Sequence, residues 1–124
     1  MEKLIHKHGV SFKNAFSGLW WALSTQPNFR IHLFLSAVAL VLSYMLQIPA
    51  VEICIIVFTI VLGLSAEMIN TAIESMTDLI TKEWRTEAKI AKDVSAGMML
   101  TVAIGAVIIA GIIFGPKLLT LAGY

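Results

Sequence analysis

A stripe of carboxylates lies within an otherwise apolar stretch of the chain. Glu67, Glu74 and Asp78 interrupt a hydrophobic run, and at about 100° per residue of an α-helix they fall within roughly 40° of one another. Thr71 shares the stripe and Asn70 lies beside it. Like charges at this spacing repel one another unless a cation, a proton or a basic side chain lies among them. The pattern therefore indicates a site for proton transfer or cation binding.

Basic residues follow directly after the stripe, in the segment 81–93, which carries Lys82, Arg85, Lys89 and Lys92. Carboxylate oxygens suit Mg²⁺, which proteins hold through few carboxylates and shared phosphate oxygens. Phosphoryl transfer from a nucleotide to a lipid needs carboxylates, a divalent cation and lysines beside a lipid phase. The sequence has no Walker A loop, and neither the Gly-rich loop nor the His-Arg-Asp motif of protein kinases. The residues alone thus indicate an acidic site with basic neighbours.

The composition places this site in a membrane. Of the 124 residues, 58% are hydrophobic and 14% are charged, against about 45–50% and 25% in ordinary soluble domains. A small soluble fold is mostly surface and cannot bury such an excess, and a net charge of +1 gives no field that attracts polyanions. These values argue against a soluble enzyme, a disordered tail and a nucleic-acid-binding module. The single cysteine, Cys54, is predicted to be a small buried hydrophobic residue.

Three apolar runs are long enough to cross a bilayer as helices: residues 31–48, 51–80 and 94–116. A helix needs about 20 residues to cross a hydrocarbon core of ~30 Å, and the continuous runs exclude alternating β-strands. Residues 1–29 form a separate amphipathic helix that Pro27 ends near Gln26. Its apolar face fits a membrane surface and packing on its own bundle equally well. We predict an all-α membrane protein with an N-terminal interfacial helix and three transmembrane helices.

The basic residues also predict an orientation. Lys3, Lys7 and Lys13 precede the first span, and the predicted loop 81–93 carries four further basic residues. The turn after the first span has none and the C-terminus has only Lys117. The positive-inside rule then places the N-terminus and the loop in the cytoplasm, and the C-terminus on the far side.

Longer motifs add a resemblance. Glu67-Met-Ile-Asn-Thr-Ala-Ile-Glu74 with Asp78, followed by Lys89-Ile-Ala-Lys-Asp93, resembles the signature of the prokaryotic diacylglycerol kinase family. Asn28-Phe-Arg-Ile-His32 resembles that family's entry to its first span. The resemblance implies a single membrane kinase domain over residues 1–124 in the bacterial inner membrane. It also implies a homotrimeric bundle with active sites shared between subunits, ATP as phosphoryl donor and Mg²⁺ as cofactor.

The resemblance also implies roles for individual residues. Glu67 corresponds to the catalytic general base, and Glu74 and Gln26 to the metal-binding positions. The lipid substrate would contact Trp20, Glu67, Asn70 and Ala96. The nucleotide would contact Asn14, Gln26, Glu74, Glu83, Trp84, Arg85, Lys92 and Asp93. For Lys89, an ordinary i,i+4 pair with Asp93 is expected instead.

Two of these positions depart from the family pattern. Many members have a glutamate where this chain has Gln26, and an aromatic hydroxyl where it has Asn14. An amide oxygen can bind Mg²⁺ but brings no charge, so weaker metal binding is expected unless Asp78 or Glu83 substitutes.

The sequence is compatible with more than one lipid acceptor. Thr71 and the ending Phe-Gly-Pro-Lys-Leu (114–118) resemble the undecaprenol kinase branch, which predicts ATP-dependent conversion of undecaprenol to undecaprenyl phosphate. The alternative is a diacylglycerol kinase that makes phosphatidic acid. A different class of protein, a non-enzymatic membrane protein that conducts protons or cations through the acidic stripe, also fits. Gly111-Ile-Ile-Phe-Gly115 permits close helix packing, within one subunit or between subunits.

Overall fold

The computed structural model describes the backbone of residues 2–123 and the side chains of residues 11–123. Over these residues it consists of four helices and contains no strand: α1 Glu2–Thr25, α2 Pro27–Met45, α3 Ala50–Ile80 and α4 Thr86–Leu121. The last three are long and apolar enough to cross a membrane. The predicted all-α fold, with an N-terminal helix and three membrane-spanning helices, is confirmed. The side chains of Lys3 and Lys7, which the predicted orientation uses, lie outside the described residues.

The N-terminal helix ends earlier than predicted: α1 stops at Thr25, four residues before the predicted end at residue 29. Gln26 has extended backbone angles (φ −98°, ψ 109°) and Pro27 occupies the first turn of α2. Proline is favoured there because its missing N–H would have no partner in a first turn. Residues 27–29 therefore belong to the first spanning helix and not to the N-terminal one.

The predicted loop 81–93 is wrong beyond Arg85. Helix α4 begins at Thr86, because the run from Glu87 to Lys92 consists almost entirely of strong helix formers. Lys89 and Lys92 therefore lie on a helix, and the loop has only five residues. The predicted end at residue 116 is also too early, since α4 continues through Pro116 to Leu121. Proline removes one helix hydrogen bond and its ring crowds the carbonyl four residues earlier, but the helix continues past it, and Ala122 donates to the carbonyl of Leu118 at 3.0 Å.

Helices α2 and α3 are joined by a tight turn over residues 46–49. Gln47 adopts the left-handed conformation (φ 50°), which lets the chain reverse direction although glutamine lacks glycine's freedom there. The backbone N–H of Ile48 donates to the carbonyl of Ser43 at 3.0 Å. Pro49 then precedes the first turn of α3.

Helix α3 packs most extensively against α4 and next against α2, whereas α1 contacts the other helices little. A buried cluster of Ile48, Ile56, Ile113 and Phe114 closes one end of the α3–α4 pair, which we call the turn end. An ion pair between Asp78 and Lys92 marks the other, the loop end. Between these contacts α3 runs from Ile56 to Asp78 and α4 returns from Lys92 to Phe114, a rise of 22 residue steps in each helix. That is about 33 Å at 1.5 Å per residue.

Many large apolar side chains point outward, among them Phe34, Phe58 and Val107. Cys54 is exposed too, so its predicted burial inside the protein is wrong. The apolar run around it faces outward because the exterior of a membrane bundle contacts lipid rather than water. On α1, Phe12 and Trp20 are 69% and 71% exposed. The chain's own bundle therefore does not cover the apolar face of α1, which weighs against the second of its two interpretations.

Candidate functional site at the loop end of α3

The carboxylate stripe is half covered and half open. Glu67 and Asn70 are 4% and 8% exposed, whereas Glu74 and Asp78, further along the same face, are exposed. The lengths of the helices explain the change, since α2 has 19 residues and α3 has 31. The two helices share a turn, so about 12 residues of α3 extend past the start of α2. The overhang covers residues 69–80, so Glu74 and Asp78 lie well inside it, Asn70 lies at its lower edge and Glu67 lies just below it.

The side-chain amide of Asn70 uses its donor group and leaves its acceptor oxygen without a partner in the described part of the chain. Its Nδ2 donates to Oε1 of Glu74 at 3.1 Å, which sets the orientation of the amide, because two acceptor oxygens would repel. Its Oδ1 is buried and has no hydrogen-bond partner in the described part of the chain. An unsatisfied buried acceptor costs about 1–3 kcal/mol. A donor that enters from outside the chain would therefore be stabilised at this atom.

Basic side chains approach the stripe from α4. The Nζ of Lys92 lies 2.5 Å from Oδ1 of Asp78 and joins the two helices. Lys89 pairs with Asp93 one turn along α4, as expected from their spacing. In the loop, Arg85 pairs with Glu83 at 2.8 Å. Four of the residues that the resemblance assigns to the nucleotide (Glu83, Arg85, Lys92 and Asp93) are thus within ion pairs at the loop end.

The other residues assigned to substrates are more scattered. Asn14 and Trp20 lie exposed on α1, which contacts α3 and α4 little. Trp84 is exposed in the loop, and Ala96 is exposed on α4. A single chain therefore brings together Glu67, Asn70, Glu74, Asp78 and Lys92, but it does not bring the α1 residues to them.

The donor set for a divalent cation is small. Over the described residues there is no cluster of three or more Asp, Glu, His or Cys side chains that could hold a metal. Gln26 is half-buried at the start of α2, where its Nε2 donates to Oγ1 of Thr25 at 3.2 Å. Asp78 and Glu83, the two possible substitutes for a missing metal ligand, already neutralise Lys92 and Arg85. Glu74 thus remains the carboxylate available at the stripe. Together with the amide oxygen of Gln26 it fits Mg²⁺ only if phosphate oxygens supply further ligands.

An open cleft of about 500 Å³ lies between the end of α3 and the start of α4. It is lined by Thr77, Ile80, Thr81, Arg85, Glu87, Ala88 and Ala91. The sequence analysis missed Thr77 and Thr81, because a threonine near a helix end is too common to signal a site. Their spacing of four residues, continuing the Asn70–Glu74 side of α3, is the signal that was available. Oγ1 of Thr81 accepts a hydrogen bond from the backbone N–H of Glu83 at 3.1 Å and so orders the loop.

Comparison with known proteins identifies the family of the chain. The protein-family model for prokaryotic diacylglycerol kinase matches residues 13–114. A diacylglycerol kinase of Synechocystis is 40% identical over 113 residues, which cover 90% of this chain and 65% of that protein. The chain thus spans slightly less than two thirds of that relative's length.

Two further relatives match over most of both chains. An undecaprenol kinase of Bacillus subtilis is 37% identical over 87% of this chain and 88% of its own length. A diacylglycerol kinase of Haemophilus influenzae is 29% identical over 84% and 89%. The names of the family and of all three relatives are those of lipid kinases. On its sequence, its helical architecture and its acidic site, the chain belongs to the prokaryotic diacylglycerol kinase family.

Proposed function

We propose that this member of a lipid kinase family transfers the γ-phosphate of ATP to the hydroxyl group of undecaprenol and so makes undecaprenyl phosphate. The observation that carries the proposal is the buried pair Glu67 and Asn70, with an acceptor atom of Asn70 unsatisfied. A buried carboxylate beside a free acceptor suits a hydroxyl group that must be held and then deprotonated. Both groups lie at the edge of the part of α3 that α2 covers, where a lipid headgroup and a water-soluble nucleotide can meet.

In the proposed reaction, the carboxylate of Glu67 takes the proton of the lipid hydroxyl. The hydroxyl oxygen forms a bond to the γ-phosphorus, and the bond from that phosphorus to the ADP oxygen breaks. Oδ1 of Asn70 accepts a hydrogen bond from the entering hydroxyl, or from the carboxylic acid of Glu67 once that group holds the proton. The ammonium of Lys92 approaches the phosphates from α4 and offsets their negative charge.

The metal of this reaction would be Mg²⁺, held by Glu74 and by the amide oxygen of Gln26 together with phosphate oxygens. When bound, it would neutralise charge on the phosphates and fix their geometry. Glu74 is suited to this role because its Oε1 is already oriented by the amide of Asn70. The same hydrogen bond links the metal position to the lipid position through one side chain.

Undecaprenol is preferred as acceptor because of Thr71 and the ending 114–118. In addition, the Bacillus subtilis relative, which is named undecaprenol kinase, matches this chain over 88% of its own length. Diacylglycerol is the second candidate, because the Synechocystis relative at 40% identity bears that name. We would purify the full chain and measure ATP-dependent phosphorylation of each lipid in the same mixed micelles. The proposal expects a higher kcat/KM for undecaprenol, and the reverse order would make diacylglycerol the acceptor.

An outcome in which neither lipid is phosphorylated would overturn the kinase proposal altogether. Ion or proton conductance through the same preparation in a planar bilayer would then support the non-enzymatic alternative. A Glu67→Gln variant in both assays separates protein-dependent signal from contamination, because it keeps the shape of the side chain.

We further propose that the chain acts as a homotrimer in the bacterial inner membrane, with the N-terminus and the 81–85 loop in the cytoplasm. Intramembrane carboxylates must face protein or water, and one chain leaves Glu74 exposed. A Cβ atom added at Gly97, Gly105, Gly111 or Gly115 would meet no atom within 4 Å. These glycines therefore are not needed for close packing within one subunit. We propose that they allow a helix of a neighbouring subunit to approach α4 closely.

Subunit mixing tests this assembly. Glu67→Gln and Lys92→Met subunits would be unfolded, mixed and refolded together, and activity measured against their ratio. If neighbouring subunits share sites, mixed trimers should regain part of the activity that each variant lacks alone. Refolded mixtures with no rescue at any ratio would argue for self-contained subunits.

A further inference from the structure

The ion pair between Asp78 and Lys92 differs from the other two ion pairs of the described residues. Arg85 and Glu83 lie two residues apart in the loop, and Lys89 and Asp93 lie one turn apart on α4. Only the pair of Asp78 and Lys92 joins two helices, and its partners lie 14 positions apart in the sequence. It therefore fixes a side chain of α4 relative to the carboxylate stripe of α3.

Stability is a weak reason for this pair. The side chains of Lys92 and Asp78 are 40% and 63% exposed, and ion pairs this exposed to solvent contribute little to folding. The α3–α4 hairpin is already held by the apolar cluster at the turn end and by packing along both helices. The more informative consequence of this ion pair is that it fixes the position of the Lys92 ammonium group.

A lysine ammonium has three donors on a flexible four-carbon stem. Asp78 engages one donor of Lys92 at 2.5 Å, which leaves two for phosphate oxygens. The nearest acidic residue in sequence, Asp93, is occupied by Lys89. Among the side chains that the structure describes, Asp78 is thus the one hydrogen-bonded to the ammonium of Lys92.

We propose that Asp78 is a positioning residue, which holds the Lys92 ammonium over the stripe so that its remaining donors meet the nucleotide phosphates. The proposal rests on the kinase function proposed above and adds a residue to it. Asp78 touches neither substrate, and its effect passes through Lys92. Without its charge, the lysine stem samples other rotamers and the phosphates lose a fixed counter-charge.

The central test is Asp78→Asn, which keeps the shape of the side chain and removes its charge. We expect kcat/KM for ATP to fall by about 10-fold or more, since misplacement of a positioning group by 1 Å can cost on the order of 10²-fold. The KM for the lipid should stay unchanged, and Asp78→Glu should recover most of the loss. The matched control is Glu52→Gln, a loss of one carboxylate charge at the opposite end of α3, which should leave ATP kinetics as in the wild type.

Nucleotide binding gives a readout that needs no turnover. Affinity for a non-hydrolysable ATP analogue with Mg²⁺ would be measured for Asp78→Asn, Lys92→Met and the double variant. If Asp78 acts through Lys92, the double variant binds as weakly as Lys92→Met alone. Additive losses, or wild-type binding by Asp78→Asn, would overturn the proposal. A wild-type protein that binds the analogue but phosphorylates no lipid would instead overturn the proposed function.

Discussion

The two ends of the α3–α4 hairpin are built from the same pair of helices and differ in almost every other respect. At the turn end, Ile48, Ile56, Ile113 and Phe114 pack into a buried apolar cluster. Towards the loop end, three of the four buried side chains of α3 and α4 are polar (Glu67, Asn70 and Ser95, with Ala66 the apolar one), and an open cleft lies between the two helices. The comparison shows that one end holds the helices together and that the other carries the polar groups that chemistry needs.

The difference has a physical basis in the membrane. Between helices in lipid, apolar contacts gain only packing energy, because lipid tails are as apolar as the side chains that they replace. Close packing at the turn end is therefore needed for a defined helix register. The buried carboxylate and amide at the loop end oppose stability, so their presence calls for a functional explanation.

The largest effect is expected from Glu67→Gln, which removes the proposed proton acceptor and keeps the shape of the side chain. Loss of a general base typically lowers the rate by ~10²–10⁴-fold, and we expect initial rates of lipid phosphorylation to fall by that factor. Glu52→Gln makes the same change near the turn end and should retain wild-type rates. Near-normal turnover by a correctly folded Glu67→Gln protein would rule out Glu67 as the base.

Phe114→Ala tests the turn end, where we expect a loss of stability without a loss of catalytic rate. Truncation of a buried phenylalanine costs about 3–5 kcal/mol in water-soluble cores, a sum of transfer from water and loss of packing. In lipid only the packing part is lost, so we expect a smaller effect of the same sign, seen as easier unfolding by denaturant in mixed micelles. The kcat of the folded fraction should stay close to wild type, because Glu67, the nearest carboxylate of the acidic site, lies about 16 Å along α3 from the cluster residue Ile56 at 1.5 Å per residue.

The control for that variant is Phe58→Ala, which removes the same atoms from an exposed position on α3 and should unfold nearly as the wild type does. A large loss of kcat in Phe114→Ala, with unfolding unchanged, would mean that the two ends are not separate in function.

The smallest effect is expected from Gln26→Glu, which restores a charge at the proposed metal position. More ligand charge strengthens binding of a hard cation, so half-maximal activity should need several-fold less Mg²⁺, with lipid preference unchanged. Gln47→Glu is the matched change in the turn at the other end of α2. Identical Mg²⁺ titrations for wild type and Gln26→Glu would mean that Gln26 only ends α1 before Pro27, leaving Glu74 and the phosphates as ligands.

Much of the helical layout could be predicted because it depends on runs of residue types. The uncharged runs gave the three spanning helices, and the spacing of Glu67, Glu74 and Asp78 gave one helical face. The start of α4 at Thr86 was missed, because a charged segment between two spans looks like a loop although its residues are good helix formers.

The finer features of the candidate site depend on distances between helices, which periodicity does not contain. That Glu67 is covered and Glu74 is not follows from the length of α2 beside α3. The pairing of Asp78 with Lys92 follows from the register of α3 against α4, and the free Oδ1 of Asn70 from its bond to Glu74. Each required the three-dimensional structure, as did the outward position of Cys54.

The overhang of α3 beyond α2 sets how deep the site lies in the bilayer. Helix α2, at 19 residues, is about 28 Å long and nearly equals the hydrocarbon thickness, whereas the further 12 residues of α3 rise about 18 Å above it. Glu67 thus sits at a depth given by the difference between two helix lengths and not by any single contact. Hydrophobic mismatch acts on such a difference, since a thicker or thinner bilayer tilts the helices or deforms around them. In the proposed reaction, the acyl-chain length of the surrounding lipid thereby becomes a control on how easily a lipid hydroxyl reaches this carboxylate.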